Sequence, residues 1–481
     1  MRIAIVGTGF SGLCMGIKLR EAGFEDFTLF EKADAIGGTW RDNTYPGAEC
    51  DIPSALYSYS FEPNPRWAHK WSHQPEILRY MEYCAAKYGL YPHIRLNTEV
   101  EEARWDDGEC RWHLTLDDAS EEVFDVFVTG VGQLSRPFVP ELPGLDDFAG
   151  PSFHSARWEH DVELAGRDVV VVGNAASAVQ FVPQIAPKVR SLTVFQRTAN
   201  WMLPKNDREY TEFEKWLGQR VPFLQRLYRL RIWLISELVL YPMMGLNRLY
   251  KWWGRRQTRK YVEETIRDPA LREKLIPDYP FGARRILFSD DYYEALDRDN
   301  VELVTESIER ITASGVRTRD GREIPADVLI LATGFCTNPF LAPMEITGAN
   351  GRALRDAWSE GAQAYLGITV AGFPNLFMTY GPNTNLGHSS IIIMIECQTR
   401  YIVECLELMR ERGAERVEVL EDVQRQYNEK LQRRLEHKAW ALVGRSWYMD
   451  HGRITNNWAG TTPEYWWRTR HFDERNYRLA H

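Results

Sequence analysis

Ile3-Ala4-Ile5-Val6 is an unbroken apolar run of strand length that stops at Gly7-Thr8-Gly9-Phe10-Ser11-Gly12. A short apolar run closed by glycine predicts a strand buried on both faces. From Leu13 to Glu21 the pattern turns helical, and Phe27-Thr28-Leu29-Phe30 is strand-like again. The same order recurs downstream, where Asp168-Val169-Val170-Val171-Val172 meets Gly173-Asn174-Ala175-Ala176-Ser177-Ala178, then a helical stretch, then Ser191-Leu192-Thr193-Val194-Phe195. Two strand-turn-helix-strand units in one chain predict an α/β protein with parallel sheets.

Further along, Val328-Leu329-Ile330-Leu331 is strand-like and runs into Ala332-Thr333-Gly334, while Leu376 to Tyr380 forms another such run ahead of an apolar helix. Between 205 and 275 the periodicity is helical, with no turn-rich strand pattern. These elements predict the fold class α/β, with two Rossmann-like dinucleotide-binding domains and a helical insertion. The first domain is expected to be discontinuous, formed by 1–140 and 328–481. The second, 141–327, is set into it and carries the insertion at about 205–275.

The turns bring chemistry. In the first, Gly7 makes the tight turn, Gly9 lets the backbone approach a pyrophosphate, and Gly12 permits close helix-strand packing, so the helix N-terminus faces phosphate charge through Phe10 and Ser11. Glu31 ends the next strand 19 residues after Gly12, where an acid accepts hydrogen bonds from an adenosine ribose. In the second turn Arg197 stands 19 residues after Ala178, and with Thr198 it suits a ribose 2′-phosphate. Ala175 replaces the second glycine and sets a methyl group where the backbone should approach the pyrophosphate. Opposite charges at the two ribose positions imply FAD in the first unit and NADPH in the second, because flavin is the electron relay that nicotinamide commonly reduces.

Composition narrows the class without changing the fold. At 481 residues the chain is long enough for two or three domains of about 150 residues. Hydrophobic content of 44%, charged content of 26% and 17 Trp describe a folded, aromatic-rich chain. The net charge of -9 argues against nucleic acid as a partner. Cys14, Cys50, Cys84, Cys110, Cys336, Cys397 and Cys405 form no CxxC pair, which disfavours a zinc ribbon, a secreted disulfide framework and a dithiol redox centre; a cytoplasmic location is expected and no metal. The strand at Ile3 leaves no room for a signal peptide, and Ile232 to Gly245, interrupted by Glu237, is too short to span a bilayer.

One segment departs from this balance. From Arg220 to Lys260 ten basic residues accompany a single acid, Glu237, interleaved with Trp233, Trp252, Trp253 and three tyrosines. The favoured expectation is helices that pack one face on the protein and leave Arg and Lys solvated on the other. A helix lying on an anionic membrane is the alternative.

Phe148-Ala149-Gly150-Pro151-Ser152-Phe153-His154-Ser155-Ala156-Arg157-Trp158, with Asp161 beyond, resembles the FxGxxxHxxxW fingerprint of the Baeyer–Villiger monooxygenases. The match includes Trp158, where relatives that oxidise heteroatoms usually differ. Gly37-Gly38-Thr39-Trp40, Tyr45 to Asp51, Gln196-Arg197-Thr198 and Ala332 to Phe335 are similar to segments of the same family, and the resemblance runs essentially from end to end.

The resemblance implies an enzyme that reduces FAD with NADPH, reacts it with O₂, and inserts one oxygen atom beside a ketone carbonyl through a C4a-peroxyflavin, giving an ester or lactone. Gly282-Ala283-Arg284-Arg285-Ile286 looks like the segment of the catalytic arginine, which maps to Arg285, with Asp51 holding its guanidinium. It implies FAD contacts at Gly38, Thr39, Trp40, Asp51, Tyr57, Val100 and Ile391 besides the first turn. For NADP it implies Gly173, Asn174, Ala175, Ser177, Ala178, Gln180, Arg197, Thr198 and Trp447. Phe148, Gly150, His154, Trp158 and Asp161 belong to the linker fingerprint, where His154 is expected to orient the linker rather than transfer a proton. Two other functions stay open at this point: oxygenation of sulfur or nitrogen by the same flavin, and an NADPH-binding flavoprotein that oxygenates nothing, for which Ala175 is the best support. The substrate is expected to be an apolar and bulky ketone, together with O₂.

Overall fold

The computed structural model describes residues 1–444 and 448–481. Its first sheet has five parallel strands in the order Leu376–Met378, Val126–Thr129, Ile3–Val6, Phe27–Phe30 and Ile94–Arg95. The period-2 alternation of a strand explains why Ile3–Val6 is apolar throughout. Ile3 and Ile5 join the core shared with helices Phe10–Glu21 and Ile391–Arg412, while Ala4 faces the opposite core with Phe30, Trp112 and Phe127. That second core lies under a four-stranded sheet of Glu345–Thr347, Val100–Asp106, Arg111–Leu116 and Glu121–Phe124.

The second unit repeats the plan. Its five parallel strands run Val301–Val304, Ser191–Phe195, Asp168–Val172, Val328–Leu331 and Ser152–His154. Val169 and Val171 face helix Ala176–Ile185, and Val170 faces a small antiparallel sheet built on Ile308–Thr312.

Strand Val328–Leu331 departs from the sequence-based expectation, which made it the start of the returning first-unit segment. It pairs instead with Asp168–Val172 on one side and Ser152–His154 on the other. Val328 and Ile330 bury into one core of the second unit and Leu329 and Leu331 into the other, so no face is left to cover the first unit. The chain rejoins the first unit only later, where Glu345–Thr347 pairs with Val100–Asp106 and Leu376–Met378 with Val126–Thr129.

The insertion is helical over Glu212–Arg220, Pro222–Ile235, Arg248–Thr265 and Pro269–Leu275, with a π-helical turn at Ser236–Leu240. Its base is clipped by the short parallel pair Met202–Leu203 and Leu287–Phe288. The expected division into a packed apolar face and a solvated basic face holds only in part. Arg226 and Arg231 are exposed, but so are Leu227, Leu230 and Leu234, whereas Arg229 turns inward. Among the described residues no helix is long and apolar enough to cross a membrane.

Candidate active site

Both glycine-rich turns open on one cavity of about 1020 Å³ between the two units. Gly7 and Gly173 take φ of +100° and +111°, the left-handed conformation that ends each strand in its turn. At Gly12 an added Cβ would stand 1.8 Å from the carbonyl oxygen of Gly7, so helix Phe10–Glu21 can approach the turn only without a side chain there. At Gly9 an added Cβ would meet no protein atom within 4 Å, and the bare backbone at the helix N-terminus faces open cavity. This is the shape that a diphosphate group fits, with amide donors and the positive end of the helix dipole directed at it.

Glu31 ends its strand as expected, buried at the cavity wall, and is already oriented. It accepts hydrogen bonds from Thr8 Oγ1 at 2.6 Å and Ala33 N at 3.1 Å, and pairs with Arg41 at 3.0 Å. Gly38, Thr39, Trp40, Tyr57, Val100 and Ile391 also line the cavity. Trp40 Nε1 donates to Tyr57 Oη at 3.1 Å, and Tyr57 stands edge-on to Phe10 with ring centres 5.2 Å apart.

On the second unit Gly173, Asn174, Ala175, Ser177, Gln180, Arg197 and Thr198 line the same cavity, while Ala178 is buried in the helix-strand packing. Asn174 Nδ2 donates to Gln196 Oε1 at 2.8 Å and to the Thr198 carbonyl at 3.0 Å, which ties the turn to the end of strand Ser191–Phe195. Arg197 is exposed at the cavity, and no described carboxylate pairs with it. An unpaired guanidinium at this place suits a phosphate dianion. Gln180 also bridges the units, accepting from Tyr45 Oη at 2.8 Å and donating to the Glu49 carbonyl at 3.0 Å.

Arg285 precedes strand Leu287–Phe288 and meets Asp51 across the cavity wall. The contact is two-pronged: Nε donates to Oδ2 at 2.9 Å and Nη2 to Oδ1 at 2.6 Å. The Asp51 charge pushes the Arg285 pKa well above its ordinary value, so the guanidinium is a permanent, geometrically fixed cation.

The linker fingerprint stands elsewhere. Phe148, Gly150, His154, Trp158 and Asp161 do not line the cavity. An added Cβ at Gly150 would meet the Asp327 carbonyl at 2.4 Å, Trp158 packs edge-on to Phe153 at 5.2 Å, and Asp161 is exposed. His154 Nδ1 accepts from the Ala156 amide at 3.1 Å, and burial lowers the pKa of its ring. Trp447 lies outside the described residues.

Two features at or behind the cavity wall escape sequence reasoning. Lys205 is buried and forms an ion pair with Glu49, two residues from Asp51, and its ammonium lies over the Trp71 ring. Tyr380, at φ +60°, lines the cavity and donates to Asn385 Oδ1 at 2.9 Å. A lone lysine in Leu203-Pro204-Lys205 carries no pattern, and the tyrosine ends a strand-like run that only tertiary packing turns toward the cavity.

Two dinucleotide turns facing one cavity with a fixed cation between them define an oxidoreductase of the two-dinucleotide class. Residues 1–239 match the model of the flavin-binding monooxygenase-like family. A Baeyer-Villiger monooxygenase of Pseudomonas aeruginosa is 44% identical, the match covering 100% of this chain and 91% of that protein. One of Streptomyces coelicolor is 41% identical over 100% of this chain and 92% of that protein. Among solved structures, an oxidised steroid monooxygenase bound to NADP matches with a TM-score of 0.90 at 29% identity, covering 100% of this chain and 99% of that one. Within the two-dinucleotide class, the chain belongs to the Baeyer–Villiger monooxygenases.

Proposed function

We propose that this chain is an FAD- and NADPH-dependent monooxygenase that converts an apolar ketone to an ester or lactone. One atom of O₂ enters between the carbonyl carbon and its neighbour; the other leaves as water with two electrons and a proton from NADPH and a proton from solvent. The observation that carries this reading is the two-pronged Arg285–Asp51 pair on the wall of the cavity that both dinucleotide turns share.

FAD fits the first turn: the open space at Gly9 admits its diphosphate, and Glu31 stands at the ribose position. NADPH fits the second, where Arg197 supplies an unpaired cation for the 2′-phosphate. When bound, the flavin passes the electrons of NADPH to O₂. The chain's own part is to place Arg285 where negative charge grows on the oxygen of the attacked carbonyl, in a cavity whose walls limit solvent screening. Asp51 keeps that guanidinium from swinging, and Tyr57, Leu386 and Ile391 offer apolar surface for the substrate. The Glu49–Lys205 pair and Gln180 anchor the loop carrying Asp51 to the second unit. The seven cysteines are all unpaired, which supports a reducing, cytoplasmic setting.

The test is product analysis of the FAD-loaded enzyme with NADPH in air, offering a cyclic ketone beside a thioether. Lactone formation that disappears in Arg285→Ala, with flavin reduction by NADPH retained, is the expected result. Sulfoxide alone would assign the protein to heteroatom oxygenation, and NADPH consumption yielding only H₂O₂, unchanged by ketone, would assign it to no oxygenation at all.

A further inference from the structure

Helix Pro222–Ile235 and the turn Ser236–Leu240 are packed inside out. Arg229, Trp233 and Glu237 reach into the protein, while Arg226 and Arg231 stay exposed. Arg229 Nη1 donates to the Ala55 and Ser58 carbonyls at 2.8 and 3.0 Å, and Glu237 accepts from Thr462 Oγ1 at 2.5 Å. Trp233 Nε1 reaches the same threonine at 2.9 Å. The opposite face is apolar and bare: Phe223, Leu227, Leu230, Leu234, Ile235 and Leu238 are between 40% and 69% exposed. Their spacing of three and four residues makes one continuous stripe along the helix.

The following helix, Arg248–Thr265, also leaves large apolar side chains outside. It packs through Gly254, whose added Cβ would stand 2.4 Å from the Phe281 ring, and through Thr258, which donates to the Met202 carbonyl at 2.9 Å. Leu249, Trp252 and Trp253 are turned to solvent. Apolar surface on this scale is covered by something in a working protein.

Charge selects the covering. Arg226, Arg231, Arg248, Arg255, Arg256 and Arg259 pair with no carboxylate among the described residues; Glu237, the one acid between Arg220 and Lys260, is buried on the inner face, and Glu264 beyond it pairs with Lys260. A second copy apposed through the same face would bring these unneutralised cations together. Lipid phosphates would neutralise them, with arginine stems lying along the apolar stripe and tryptophans at headgroup depth. No described helix is long and apolar enough to cross a bilayer, so the contact is with its surface.

We propose that the outer face of helix Pro222–Ile235 docks on an anionic lipid surface. The docked protein draws an apolar substrate from the lipid phase rather than from water. The docking stands on the exposed face alone, and only its use for substrate supply rests on the monooxygenase reading.

The experiment is co-sedimentation of the FAD-loaded full chain with vesicles of phosphatidylcholine alone and of phosphatidylcholine with phosphatidylglycerol. Binding is expected on the anionic vesicles only and is expected to weaken as salt is raised. Each arginine at the lipid surface is worth about fivefold in partitioning, so Arg226→Gln with Arg231→Gln should lower it about 25-fold. Leu227→Gln, Leu230→Gln and Leu234→Gln together should abolish it, while flavin absorbance and ketone turnover in detergent-free buffer stay as in the parent. Should the triple variant fold poorly, the arginine pair, which removes only solvated charge, decides. Equal sedimentation with both vesicles, or none with either, overturns the proposal. So does a parent dimer in size exclusion that the leucine changes convert to monomer, since a second copy would then be the occupant.

Discussion

Replacing Asp51 by Asn tests the centre of the site with the least change of shape. The substitution removes the counter-charge and leaves one amide oxygen, so one of the two donor contacts at 2.9 and 2.6 Å can survive. Losing a hydrogen bond to a charged group costs about 1.5–3 kcal/mol, and the pair is only partly exposed, at 34% and 22% for the two side chains, so little of this is lost to solvent screening. If that energy is used to hold Arg285 against the developing carbonyl oxyanion, ester formation falls about 10- to 150-fold. The assay separates two rates: NADPH oxidation followed by absorbance, and ester followed by chromatography. Flavin reduction precedes the step in which Arg285 acts, so NADPH consumption should continue and its electrons appear as H₂O₂. Arg285→Lys is the companion. It keeps the charge but not the planar fork, and should fall in the same range rather than recover activity. Unchanged ester yield per NADPH in Asp51→Asn would refute the view that the carboxylate positions the guanidinium.

Three further outcomes are expected. Arg197→Ala should raise the KM for NADPH by about 10- to 150-fold and leave that for NADH unaltered, since only a charged contact to the 2′-phosphate is lost; equal changes with both cofactors would remove its assigned role. Gly9→Ala should keep the melting temperature of the FAD-free protein but weaken FAD binding in a flavin fluorescence titration, whereas Gly12→Ala, with its Cβ 1.8 Å from the Gly7 carbonyl oxygen, should lose about 1–3 kcal/mol of stability even without FAD. Glu214 closes a capping box with Thr211 and pairs with Arg208, and these contacts bring its pKa down to about 2, below the ordinary 4.5. A lowered folded-state pKa stabilises above the ordinary value and stops doing so as pH falls toward 2; Glu214→Gln should therefore melt lower at neutral pH, by under about 1 kcal/mol for so exposed a pair, and coincide with the parent in strong acid.

The local code of the chain determined a good deal by itself. Ile3–Val6 and Asp168–Val172, each followed by a glycine-opened turn and a helix, are recognisable because strand period, turn chemistry and helix onset are all short-range properties. Glu31 and Arg197 were placed by counting residues along the same units, since a strand and helix of ordinary length span a fixed number of positions. What tertiary structure alone decided depends on contacts between residues far apart in the chain. Asp51 and Arg285 are 234 positions apart and come to 2.6 Å only when the two units close on one another. Val328–Leu331 reads as a strand, yet its apolar run fits either sheet, and only its pairing with Asp168–Val172 assigns it to the second. Lys205 carries no sequence signal, because a buried ion pair is defined by its partner, Glu49. The exposed leucine stripe of Pro222–Ile235 is hidden from sequence for the same reason: an apolar residue at helical spacing looks the same whether it faces a core or the outside, and here Arg229 and Glu237 found their partners inward and turned the leucines out.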